Sequence, residues 1–200
     1  MFAVHRTRLA VSWLSAIGFW LGAAANCFIV SAATAADNNL ANRIGPRLIL
    51  IIRHAEKPDD RNDPDLTATG RARAENLGNY LPKTFGTPDF LFASTRSKRS
   101  NRPIETVKPL SKKLGILIDD SFADEDYAAL AHKLLTDKKY DQKFILICWH
   151  HGHIPDLAFA LGGSPDGVPN PWDPTVFNLI LQLEYKGSGS AVTTKITEPF

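Results

Sequence analysis

Cysteine is nearly absent from this 200-residue chain, which carries only Cys27 and Cys148. If residues 1–35 are removed as a leader, one thiol remains, and that excludes an intramolecular disulfide even in an oxidising compartment. Cys148 lies in "FILICWH". This apolar setting suits a buried small hydrophobe, whereas a reactive thiol needs electropositive, exposed surroundings. Excess charge of one sign is lacking too. The net charge is +2, from 23 basic and 21 acidic residues, and two of the basic ones, Arg6 and Arg8, belong to the first 35 positions. The remainder is balanced, so no basic surplus points to nucleic acid. There is no internal repeat. "DDRNDPD", residues 59–65, lacks the glycine and distal glutamate of a calcium loop and reads as a solvated turn.

No aspartate or glutamate occurs before Asp37. His5, Arg6 and Arg8 are followed by a long apolar run that ends in Ala33-Thr34-Ala35, the order of a cleavable export signal. The alternative is an uncleaved anchor crossing a membrane once, for which about 20 apolar residues suffice. Either reading puts the bulk of the chain outside the cytoplasm, as a periplasmic or secreted protein or one tethered by its N-terminus. Residues 36–45 are small and polar, a tether. Residues 46–200 suit one domain able to bury its own core.

Within that domain, residues 47–53, "RLILIIR", form a continuous apolar run rich in isoleucine. Its length and branching predict a strand covered on both faces. Residues 67–81 place Ala72, Leu77, Tyr80 and Leu81 near helical spacing with Thr67 as cap. A second strand is predicted over 88–94. A helix follows, with Pro103 at its start and Gly115 at its end. Residues 116–119 read as a third strand, 124–135 as a helix with acids in its first turn, and 143–149 as a fourth buried strand. Residues 175–185 and 190–196 read as a hairpin. Residues 162–174, with four prolines and Trp172, read as a loop. Alternating strands and helices predict an α/β layered domain with a mostly parallel central sheet flanked by helices.

In such sheets ligands bind beyond the carboxyl ends of the strands, where helix N-termini also point. Arg53 and His54 end the first strand, and His150, His151 and His153 follow the fourth. Arg102 stands at the start of the helix that Pro103 opens. These groups are predicted to share one rim.

Four motifs run through them in order: Arg53-His54-Ala55, then Leu66-Thr67-Ala68-Thr69-Gly70, then Arg102 with Thr106 four residues on, then His151-Gly152. In this the chain resembles the histidine phosphatase superfamily, also called phosphoglycerate mutase-like, over residues 48–161. The resemblance implies a phosphatase that hydrolyses a small phosphate monoester through a phosphohistidine on His54. Arg53 and Arg102 would hold the phosphoryl group through guanidinium forks that match its oxygens, with His151 protonated beside them. Two arginines would depress the His54 pKa and keep its lone pair available. The scheme requires no metal or other cofactor.

The proton donor falls among Asp120, Asp124, Glu125 and Asp126, of which Asp124 and Glu125 stand at the helix entrance. Glu56 reads as a carboxylate orienting Arg53 or Lys57, because a carboxylate beside arginines makes a poor acid. Lys57 departs from the family, whose members often carry serine or threonine there. His150 and His153 read as substrate contacts or structural hydrogen-bonders, and His132 as an ordinary helix residue. Arg96 and Arg99 read as an extension of the phosphate-binding surface or as a solvated loop. Two other functions compete: a non-catalytic phosphate-binding module on the same fold, and a zinc hydrolase using His54 with His150, His151 and His153.

Overall fold

The computed structural model describes residues 45–60, 62–186 and 191–200. The leader, all of the tether but Gly45, and most of the link between the last two strands lie outside the described residues. Six strands form one sheet: β1 (Leu48–Arg53), β2 (Phe90–Ala93), β3 (Ile118–Asp119), β4 (Phe144–Trp149), β5 (Leu179–Glu184) and β6 (Val192–Thr197). Four helices accompany them: α1 (Ala68–Phe85), α2 (Arg102–Leu114), α3 (Tyr127–Thr136) and α4 (Ile154–Ala160). The strand order is β3-β2-β4-β1-β5-β6. The first four strands of that order run parallel, and β5 and β6 continue the sheet antiparallel beside β1.

The apolar run that predicted β1 is buried at every residue. Its alternation feeds two cores. Leu48, Leu50 and Ile52 pack with Leu77 and Leu81 of α1 and Val107 and Leu110 of α2. Ile49 and Ile51 face the other way, against Leu130 and Leu134 of α3 and Leu157 and Ala158 of α4. Burying each such side chain contributes about 1.5–3 kcal/mol, so a central strand with helices on both sides is the stable place for this run.

α1 begins where expected: the Thr67 hydroxyl accepts from the Gly70 amide at 3.0 Å. The Thr67 amide donates to the Glu56 carbonyl, and the Thr67 hydroxyl also leans on that oxygen. Gly70 lies so close that a β-carbon there would stand 2.4 Å from the Glu56 carbonyl oxygen. The threonine and glycine of the Leu-Thr-x-x-Gly motif thus dock the helix onto the chain two residues after His54. α2 starts with Pro103 in its first turn and stops at Gly115, which adopts the left-handed φ of 69°.

Three expectations are adjusted. The third strand shrinks to two residues, because Leu117 is 89% exposed at the sheet edge. The acidic start of the expected 124–135 helix is a single 3-10 turn, Asp124–Asp126, before α3 proper. α4 was not anticipated: it spans only seven residues, opened by Pro155 and burying Ile154 and Leu157. Among the described residues no helix is long and apolar enough to cross a membrane.

Candidate active site

The β1 and β4 strands end in register, with Arg53 opposite Trp149, and the His54 amide donates to the Trp149 carbonyl at 3.1 Å. The next residues, His54 and His150, emerge side by side, their rings 5.0 Å apart and edge to face. A cleft of about 690 Å3 opens beside them. Its lining includes His54, Arg102, Asp124, His150 and His151, and also Lys57, Arg96 and Arg99.

His54 is 2% exposed, and its Nδ1 lies 2.7 Å from the Ala55 carbonyl. A carbonyl only accepts, so Nδ1 carries the proton and the lone pair belongs to Nε2. Burial holds the His54 pKa well below its ordinary value, with His150, Arg53 and Arg102 adding to the effect. The direction is the expected one, but desolvation outweighs the arginines. The Ala55 amide is itself fixed by the Thr106 hydroxyl at 2.9 Å, which donates in turn to the Arg102 carbonyl at 2.8 Å. The threonine of the Arg-x-x-x-Thr motif therefore ties the start of α2 to the residue after the candidate nucleophile.

Arg102 is aimed by two bonds, Nε to the Ser100 hydroxyl at 3.0 Å and Nη2 to the Arg99 carbonyl at 3.2 Å. Arg53 is 1% exposed and does not line the cleft. One nitrogen, Nη1, donates to the Pro174 and Val176 carbonyls at 2.7 and 3.0 Å, and the guanidinium lies 3.7 Å over the Phe177 ring. Its Nε and Nη2 are buried without a partner among the described residues. Burial, with Arg102 nearby, lowers its pKa to about 10. The proline-rich loop thus covers Arg53; Trp172, 3% exposed, anchors that loop through Nε1 to the Val176 carbonyl.

The second histidine needs a correction of emphasis. The His-Gly pair singled out His151, but the ring in contact with His54 is that of His150. The signal was in the sequence: setting "LILIIRH" against "FILICWH" puts His54 opposite His150. Burial, then Arg102 and His151, lowers the His150 pKa to about 4, and burial with Arg53, Lys57 and Arg102 lowers that of His151. Both shifts disfavour protonation, which for His151 runs opposite to the expectation. His153 stacks on Tyr127 at 5.3 Å and sits 3.5 Å from Asp156, and it also lines the cleft. His132 is exposed on α3.

The four candidate acids separate. The carbonyl of Asp120 accepts from the Thr95 hydroxyl, and Asp126 Oδ2 accepts from the Ala123 amide. Asp124 and Glu125 line the cleft. Of these two, Asp124 is the one partly buried: Trp149 donates from Nε1 to its carbonyl at 3.0 Å, and its Oδ1 has no partner among the described residues. Burial raises its pKa to about 6, against the pull of His153 and with Glu125 adding.

Glu56 orients an arginine, but a different one from those expected. Arg73 grips it with Nε at 3.0 Å from both carboxylate oxygens and Nη2 at 2.8 Å from one. Burial alone would raise the Glu56 pKa; the Arg73 hydrogen bonds and charge more than reverse this, so its pKa is lowered and it stays ionised. Cys148 is fully buried, and burial pushes its thiol pKa up, away from reactivity. The zinc reading needs its histidines grouped as ligands, and among the described residues no three histidine, cysteine or acidic side chains are placed to hold a metal ion.

No protein-family model matches the chain, and no curated protein matches it significantly. Solved structures do. The protein histidine phosphatase SixA complexed with tungstate aligns with a TM-score of 0.56 at 16% identity, over 75% of this chain and 96% of that one. A mycobacterial glucosyl-3-phosphoglycerate phosphatase aligns with a TM-score of 0.53 at 16% identity, over 76% and 98%. The phosphoglycerate mutase of Plasmodium falciparum gives 0.51 at 15% identity, over 77% and 91%. At these identities the likeness is one of architecture. The chain has the fold of the histidine phosphatase superfamily, the phosphoglycerate mutase-like fold.

Proposed function

We propose that the protein is a phosphatase that hydrolyses a small phosphate monoester through a phosphohistidine on His54. The observation that carries this reading is the His54 ring itself: buried at the end of a rigid strand, with Nδ1 committed to a carbonyl and Nε2 left as a nucleophile beside Arg102 and His150.

In the first step the Nε2 lone pair forms a bond to phosphorus as the ester P–O bond breaks, and the leaving oxygen takes a proton from Asp124. In the second a water molecule gives that carboxylate a proton as its oxygen bonds phosphorus and the P–N bond breaks. A carboxyl with a pKa near 6 can do both tasks near neutrality. Arg102 and neutral N–H groups of His150 and His151 stabilise the equatorial oxygens, where charge resides in phosphoryl transfer. Arg53 lies outside the cleft lining and contributes its charge, which with Arg102 helps to keep the His54 ring neutral.

The folds that this chain shares support the class: SixA is a protein histidine phosphatase, and the mycobacterial protein a phosphatase. We further propose export, on the basic start and apolar run of residues 1–35. Cell fractionation with sequencing of the mature N-terminus checks this; a cytoplasmic protein with its leader intact would contradict it.

Purified protein should release phosphate from an aryl phosphate in the presence of EDTA, and His54→Ala should not. A chelator-sensitive activity that survives His54→Ala would overturn the reading. Tight phosphate binding without turnover would favour the non-catalytic module.

A further inference from the structure

Beyond the groups that would handle the scissile phosphate, the site carries cations with no task. Lys57, Arg96 and Arg99 line the main cleft, and none of them forms an ion pair among the described residues. The hollow does not end with the main cleft. A second one of about 470 Å3 shares Lys57, Arg99 and Arg102 with it and is closed by Asn62. Two of the three cations, Lys57 and Arg99, thus line both hollows.

The segment bearing the arginines is built rather than loose. Ser97 and Ser100 pair through reciprocal backbone bonds of 2.9 and 3.3 Å, presenting Lys98 and Arg99 at a tight turn. Before the turn, the Thr95 amide donates to the Phe122 carbonyl at 2.7 Å. After it, the Asn101 amide donates to the Pro64 carbonyl and its side chain to Asp65, each at 2.8 Å. The Arg99 carbonyl is spent on Arg102, so the residue that would touch the scissile phosphate and the residue of the second hollow are coupled by one hydrogen bond. Arginines on a braced turn lose less freedom on binding than arginines on a mobile one.

We propose that Lys57, Arg96 and Arg99 form a second anion subsite, and that the substrate is a small organic ester carrying a second phosphate dianion besides the one removed. The inference rests on the phosphatase reading for the word substrate, but the subsite itself does not. Three cations without an ion-pair partner among the described residues suit a dianion better than a carboxylate, and a phosphate offers each of them its own oxygen. A hollow beyond the first phosphate also leaves room for the carbon skeleton between the two.

The test uses matched ligands: pentyl phosphate, pentane-1,5-diyl bisphosphate, and 6-phosphohexanoate, which ends in a carboxylate. Binding to the His54→Ala protein is measured by calorimetry, and kcat/KM by phosphate release from the wild type. The bisphosphate should bind roughly ten-fold tighter than pentyl phosphate, the sum of several partly exposed pairs, and the preference should shrink in high salt. In Arg96→Ala/Arg99→Ala the ratio between the two ligands, read within one protein, should fall to about two or less, the statistical factor of two equivalent ends. Equal affinity for all three ligands, or a ratio that survives the double substitution, overturns the subsite. A preference for the carboxylate as large as that for the bisphosphate overturns the dianion assignment. If the binding ratio holds while the wild type hydrolyses none of them, the subsite stands and the phosphatase reading falls.

Discussion

His54 owes its chemistry to backbone contacts. The Ala55 carbonyl selects its tautomer, the Trp149 carbonyl ends the strand ladder beneath it, and the Thr106 hydroxyl fixes the residue that follows. Asp124 is set by a comparable device, its carbonyl held by the indole of Trp149 while burial keeps its carboxyl protonated to about pH 6. With the His54 pKa well below its ordinary value, the proton that limits the first step above that pH is the one on Asp124. For wild type, kcat/KM should fall as pH rises through about 6. In Asp124→Asn that limb should vanish and activity drop by about 100-fold or more. Substrate ionisation is common to both proteins, so the difference between their pH profiles reads Asp124; identical shapes would remove it from the mechanism. At this scale the sequence announced the residue types but not the choice among them. Asp120, Asp124, Glu125 and Asp126 are one acidic string until a 3-10 turn and a buried tryptophan separate them. His150 was legible by aligning two apolar runs, and was hidden by the more conspicuous histidine-glycine pair.

Between elements, short motifs act as joints. Thr67 and Gly70 dock α1 on the Glu56 carbonyl, and Thr106 docks α2 on the Ala55 amide. Both joints close on the three residues that follow β1, which ties a helix-capping pattern and a threonine of α2 to the candidate nucleophile His54. Thr106→Val should leave the Ala55 amide buried and unpaired, costing about 1–3 kcal/mol in chemical denaturation and lowering kcat more than it raises KM. Thr106→Ser, which keeps the hydroxyl, should restore both. A valine variant with wild-type stability and kcat would show that the joint is not needed. Gly70→Ala, whose β-carbon would meet the Glu56 oxygen, should also destabilise, by about 1–3 kcal/mol, because backbone rather than a mobile side chain must move. The elements themselves were largely legible, since each central strand is a short apolar run bounded by polar residues. α4 was not, because seven residues between a histidine cluster and a proline-rich loop give too few turns for a helical period to show.

Across the molecule, the chain's far end is brought back to its first strand. Arg73 holds Glu56 on one side and Glu198, 2.7 Å away and 3% exposed, on the other, so that the C-terminal strand braces the segment after His54. One guanidinium serves two carboxylates, and the more buried one suffers: burial, against the pull of Arg73 and with Glu56 adding, raises the Glu198 pKa from 4.5 to about 7. Between those values the folded protein keeps a proton that the unfolded chain releases. The group's contribution to stability is therefore complete below the lower value and is lost as pH rises through the upper one. Glu198→Gln should flatten this dependence in denaturation curves taken across that interval; an unchanged slope would place the titration elsewhere. No local pattern in the sequence pairs Glu198 with Arg73, since the contact spans 125 positions and exists only once the sheet is assembled. The same assembly brings His54 and His150 to one rim, where the proposed phosphoryl transfer takes place. The most direct measurement is to mix the protein with excess phosphate ester, quench in alkali and map the phosphoryl adduct by mass spectrometry. The account predicts an acid-labile, alkali-stable adduct on His54 that is absent from His54→Ala. Turnover with no adduct on His54, or an adduct formed equally in the alanine variant, would contradict it.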